Sequence, residues 1–293
     1  MKKIVILTLA LFIALPVYSF AASTACKTKN PIVLAHGMAL KNQMFGTVEY
    51  FWKVKSTLNT EGAQVYEVSV DAMNSTEAKA QQFKTQVLQI LAVSGATKVN
   101  VIGHSHGTLY SRYAMSNLGM GKYVSSHTSL CGPHRGSAIA DLVLGYVPSF
   151  AKYLVGGVLD VFYKVLMGDE SPNALANGAS LGRTYMEKTF NPNTPNIAGI
   201  YYQSYAGKKK ALTADLVFEP TFIVMSLIEG ANDGIVSVKS AKWGVFKGEV
   251  SGAWWSGGLS HFNMHGQILG VTPGWDHLAF YKGIAKDLKA RGY

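Results

Sequence analysis

A chain of 293 residues, 48% hydrophobic and only 15% charged, is long enough for one large core and too apolar for a disordered or low-complexity protein. The net charge of +10 would suit an anionic partner, but the basic residues are dispersed, the densest run is Lys208-Lys209-Lys210, and no nucleic-acid-binding motif accompanies them. Two cysteines, Cys26 and Cys131, exclude a disulfide scaffold, and no Cys/His spacing resembles a zinc site. Whether they pair depends on a Cα separation under about 7 Å, which sequence does not give.

Residues 1–21 read as a signal peptide. Lys2 and Lys3 precede an apolar run from Ile4 to Leu15, and Ser19-Phe20-Ala21 supplies a small-residue exit. The run is shorter than the about 20 residues of a membrane span. A secreted or periplasmic location is therefore expected. A lipid anchor on Cys26 fits less well, because Ser23 stands where a leucine is expected and the cysteine lies well beyond the run.

Residues 22–293 read as a single domain with no repeat or linker. Short apolar runs alternate with amphipathic stretches, the pattern of a mostly parallel sheet flanked by helices. Strands are expected at Ile32 to Ala35, Gln64 to Val70, Lys98 to Ile102, Ser126 to Leu130 and Thr221 to Ile228. Ser75 should cap a helix that buries Phe83, Val87, Ile90 and Leu91 and ends at Gly95. A last helix should run from Asp276 to Lys289. Leu142 to Met167 breaks the alternation: strongly apolar and punctuated by Gly and Pro, it is either a buried core helix or a lid that meets lipid when open. A cap insertion is expected around residues 142–190.

Gly103-His104-Ser105-His106-Gly107 matches G-x-S-x-G, a weak signal alone in a chain with 30 glycines. A second match, Gly178-Ala179-Ser180-Leu181-Gly182, shows the risk. Ser105 alone follows a buried-strand run, Lys98 to Ile102, and precedes a helix-compatible stretch, Thr108 to Met115. Such an elbow lifts the serine oxygen above the sheet and aims the next backbone N–H, that of His106, at a developing oxyanion. Met38, after the first strand, is the candidate for the second donor.

A serine hydroxyl needs a base and an orienting carboxylate, in chain order Ser, acid, His. Asp233 qualifies by following the expected strand Thr221 to Ile228, whereas Asp215 and Asp276 have no strand before them. His261, His265 and His277 all lie downstream. His277 belongs to the last helix and His261 is the most loop-like, but the residues alone leave the base open.

Together, Pro31 to Met38, Gly103 to Gly107, Gly132-Pro133-His134-Arg135-Gly136-Ser137, Ala231-Asn232-Asp233-Gly234 and Ser260-His261-Phe262-Asn263 resemble the Pseudomonas and Proteus type of bacterial triacylglycerol lipases. The resemblance implies an α/β-hydrolase fold with a mobile helical lid, a triad of Ser105, Asp233 and His261, and oxyanion amides from Met38 and His106. It implies a lipid or ester substrate at an oil–water or membrane interface. The need for a folding chaperone stays open. It also implies a structural calcium held by two aspartates and two carbonyls. Here Asn263 stands at one aspartate position, Glu219 is nearest the other, and Gln267 and Val271 could offer carbonyls, so no cofactor is required and calcium is doubtful. The rivals are a short-chain carboxylesterase or polyester depolymerase and, from another class, a catalytically inactive lipid-binding protein.

Overall fold

The computed structural model describes residues 23–38, 43–44, 48–71, 74–143, 179–210, 217–267 and 269–293. The expected signal peptide, most of the expected lid and Asp215 lie outside them. Six strands form one parallel sheet in the order β4-β1-β5-β6-β7-β8: β1 (Ile32–Ala35), β4 (Val65–Val68), β5 (Val99–His104), β6 (Val124–Leu130), β7 (Tyr201–Gly207) and β8 (Val245–Val250). Two-residue strands β2 (Gln43–Met44) and β3 (Val48–Glu49) pair antiparallel as a separate two-stranded sheet.

Side chains alternate across a strand, so each strand serves two cores. Val33 and Ala35 of β1, with Val99 and Val101 of β5, meet helices α2 (Thr76–Ser94) and α3 (Gly107–Asn117) through Phe83, Val87, Tyr110 and Met115. Ile32, Leu34 and Ile102 face the other way, onto α1 (Val54–Thr60) and the last helix through Leu58, Tyr281, Ile284 and Leu288. Both helix stops expected for α2 are present: Ser75 accepts from the Ala78 N–H, and Gly95 closes the helix at φ 68°.

Thr221 to Ile228 is not a strand. It is helix α5 (Glu219–Ile228), following α4 (Ala138–Val143). The β-branched composition misleads, but Pro220 sits in the first turn, where its missing N–H costs nothing, and Thr221, Val224 and Met225 are buried while Ile223 and Leu227 are exposed. That is one apolar stripe at helical spacing, packed on Ala138, Ile139 and Leu142 of α4. After the short α6 (Val238–Ala241) and β8, α7 (His277–Ala290) closes the chain, capped by Asp276. Of the expected lid, Leu142 is a buried α4 residue and 179–190 is a turn leading into helix, with Leu181, Met186 and Phe190 buried against Leu109. Cys26 and Cys131 are both buried and unpaired.

Candidate active site

The carboxyl ends of parallel strands gather loops where chemistry can be placed. β5 stops at His104, and Ser105 takes φ 54°, a left-handed conformation that few non-glycine residues adopt. The strain is held from both sides: the Ser105 N–H donates to Leu130 O at 3.0 Å, and the Ser105 carbonyl accepts from the Thr108 N–H and hydroxyl at 3.0 and 2.7 Å. α3 starts so close to β1 that a Cβ on Gly107 would lie 2.1 Å from Ala35 O. Ser180, in the competing motif, lies in a turn and is not among the residues with positive φ.

The residues flanking Ser105 are buried and each is anchored. His104 Nδ1 hydrogen-bonds the Tyr50 hydroxyl at 2.7 Å, and burial, with His261 and His265 nearby, holds its pKa well below the usual imidazole value. His106 bonds Thr76 Oγ1 at 2.7 Å through Nε2 and Lys79 Nζ at 3.1 Å through Nδ1. Burial pushes the Lys79 ammonium down to about 7. Gly37, just before the half-buried Met38, sits against Ser105: a Cβ there would be 2.9 Å from Ser105 Cβ and 2.6 Å from the Tyr50 hydroxyl. The first-strand loop and the elbow are thus packed together.

Asp233 and His261 meet. Asp233 Oδ2 accepts from His261 Nδ1 at 2.7 Å, and the His261 backbone N–H donates to Asp233 O at 2.9 Å. The other carboxylate oxygen, Oδ1, accepts from the Ile235 and Val236 N–H groups at 2.9 and 2.7 Å. Asn232 ties this loop to α5 through Ser226 Oγ and Phe222 O. The His261 ring lies 4.6 Å, centroid to centroid, from that of His104, one residue before Ser105. Asp233 follows a helix rather than the strand expected of it. The strand that supports it is β7, where a Cβ on Gly207 would lie 3.1 Å from Asp233 Cβ.

The other histidines are committed elsewhere. His265 stacks on Tyr50 at 4.1 Å, bonds Tyr50 O at 2.7 Å and is pushed by burial down to about 3. His277 opens α7 and bonds Trp52 O at 2.9 Å. Asp276 caps α7 by accepting from Ala279 N–H. Sequence reasoning missed Tyr50, Lys79 and Cys131. Cys131 takes φ 50° and accepts from the Gly207 N–H at 3.1 Å, beside Asp233. None of the three carries a local pattern, because each acts on segments far away in the chain.

A family model described as palmitoyl protein thioesterase matches residues 31–169. A triacylglycerol lipase of Vibrio cholerae serotype O1 is 33% identical, over 91% of this chain and 89% of that protein. One from Burkholderia plantarii is 28% identical over 88% of this chain and 80% of its own length. Among solved structures, the mature lipase BlEst2 of Bacillus licheniformis superposes with a TM-score of 0.62 at 20% identity, covering 81% of this chain and 87% of that one. The parallel sheet is thus the sheet of an α/β-hydrolase, and with a third of its residues shared along almost the full length of a triacylglycerol lipase, the chain belongs to the bacterial triacylglycerol lipase family and is a carboxylic ester hydrolase.

Proposed function

We propose that this protein is an exported lipase that cleaves lipid carboxylic esters through Ser105, His261 and Asp233. The observation that carries the proposal is the 2.7 Å bond from His261 Nδ1 to buried Asp233, formed beside the strained elbow at Ser105. A carboxylate can only accept there, so Nδ1 keeps the proton and Nε2 keeps its lone pair. Ser105 Oγ then attacks the ester carbonyl while Nε2 takes its proton. The amides of Met38 and His106 stabilise the oxyanion, each contributing roughly 2.7–4 kcal/mol. The C–O bond to the alcohol breaks as His261 returns the proton to it, leaving an acyl-enzyme. Water, deprotonated by the same nitrogen, releases the acid. Export rests on Lys2, Lys3 and the apolar run after them. A long-chain lipid substrate rests on the apolar stretch from Leu142 to Met167.

One fluorophosphonate probe tests the nucleophile. It should label Ser105, and Ser105→Ala should lose labelling and hydrolysis by about 10⁴-fold or more while Ser180→Ala keeps both. Labelling of Ser180 would sink the assignment. For the substrate, rates on emulsified triglyceride should rise above its solubility limit. Saturation below that limit with a preference for acetate or butyrate esters would make the protein a short-chain esterase.

A further inference from the structure

The family resemblance implies a calcium ion between acidic side chains at 219 and 263 and the carbonyls of 267 and 271. The residues present do not fit it. Glu219 Oε2 lies 2.7 Å from the ammonium of Lys209, whose side chain is fully buried. Asn263 brings a neutral amide, and both ends of it are used: Nδ2 donates to Gln267 O at 2.9 Å, and Oδ1 accepts from the Ser260 N–H at 2.9 Å. One expected carbonyl ligand therefore faces an N–H donor, which repels a cation. Calcium needs 6 to 8 oxygen ligands, with affinity set by their charge. Among the described residues, the one cluster of three His, Cys, Asp or Glu side chains is His104, Cys131 and His261, which contains neither position.

In the exchange a fixed ammonium faces Glu219 where the resemblance implies a divalent ion, and an amide stands in place of the second carboxylate. Lys209 also stands where such a cation has structural leverage. Its backbone N–H donates to Asn232 O at 2.8 Å, next to Asp233, while Leu259 N–H donates to Lys208 O and Lys210 N–H to Gly257 O, just before His261. Glu219 opens α5, and its neighbour Phe218 packs edge-on against Phe262 with ring centroids 4.7 Å apart. The Lys209–Glu219 pair therefore joins the end of β7, the start of α5 and both loops that carry Asp233 and His261.

We infer that the Lys209 ammonium, together with the Asn263 carboxamide, is a built-in replacement for calcium that holds the histidine loop without a divalent ion. A tethered charge cannot be chelated or diluted away. The test is the melting temperature of the whole protein, a readout independent of which serine is the nucleophile. The wild type should melt at the same temperature in excess EDTA and in millimolar calcium. Lys209→Met takes the ammonium away from the half-buried Glu219 carboxylate and should lower the melting temperature by roughly 10 °C. Lys209→Met combined with Glu219→Gln removes the carboxylate charge as well and should recover most of the loss. Destabilisation of the wild type by EDTA, reversed by calcium, would overturn the inference. So would an equal loss in the single and double variants, which would assign the effect to packing. If the single variant does not fold, a folded double variant supports the inference, and a double variant that also fails to fold counts against it.

Discussion

The two halves of the site are built by different means. The Ser105 half lies between β1, β5 and β6 and is made of backbone: a left-handed serine, main-chain hydrogen bonds across the elbow, and glycines where chains touch. The Asp233–His261 half lies on loops around β7 and α5 and is made of side chains: Asn232 on α5, Asp233 on two N–H groups, Lys209 on Glu219. Backbone geometry of the first kind tolerates almost no change in residue type. Side-chain meshes of the second kind lose function one bond at a time. The difference sets the order in which substitutions should hurt.

The largest effect should come from Gly107→Ala, since the added methyl would overlap Ala35 O and displace either β1 or α3. No soluble folded protein is expected, as judged by circular dichroism and gel filtration. A folded, active Gly107→Ala would show that the elbow is looser than the contact distances imply. In the side-chain half, Asp233→Asn should fold and retain labelling weakly while losing about 10⁴-fold in turnover, because the amide no longer fixes the His261 tautomer. His261→Ala should be as damaging. His265→Ala, which removes a ring stacked on Tyr50 rather than one bonded to Asp233, should lower the melting temperature while turnover falls less than about tenfold. If His265→Ala were the inactive variant and His261→Ala the merely destabilised one, the roles given to the two loops would be reversed.

The same contrast explains which parts were legible in the sequence. β1, β5 and β6 are buried on both faces, so each reads as an apolar or small-residue run, and the elbow follows from the run plus G-x-S-x-G. β7, Tyr-Tyr-Gln-Ser-Tyr-Ala-Gly, carries polar and aromatic residues and no such run. Among the described residues β8 is an edge strand, paired to β7, half exposed and interrupted by Gly248 at φ 137°. Both went unread. The apolar, β-branched composition of Thr221–Ile228 suggests a strand, although Pro220 and the spacing of Thr221, Val224 and Met225 mark a helix. The loop that carries Asp233 is legible because the turn residues around it, Gly230, Asn232 and Gly234, mark a loop whichever element precedes it. The loop-like surroundings of His261 favour it over His265 only weakly, since what distinguishes the two is a bond between residues 28 positions apart.

The smallest effect should come from Lys79, which links the two kinds of construction by placing a side-chain ammonium 3.1 Å from His106 Nδ1, under the backbone elbow. Burial lowers its pKa from the ordinary lysine value of 10.5 to about 7. The sign follows from proton uptake. Between about 7 and 10.5 the unfolded chain holds a proton on Lys79 that the folded chain has released, so the contribution of this residue to stability grows as pH rises through that window. Below about 7 both states are protonated and the burial of charge weighs against the fold in full. Lys79→Met removes the titration. Melting temperatures of wild type and variant should therefore differ in a pH-dependent way, the wild type gaining on the variant by a few degrees as the buffer is taken from neutral to moderately alkaline pH. Comparing the two proteins cancels the tyrosines and cysteines that titrate in the same range. Parallel profiles would mean that Lys79 keeps one protonation state throughout, and that the lysine under the elbow is held by its hydrogen bonds strongly enough to offset its burial.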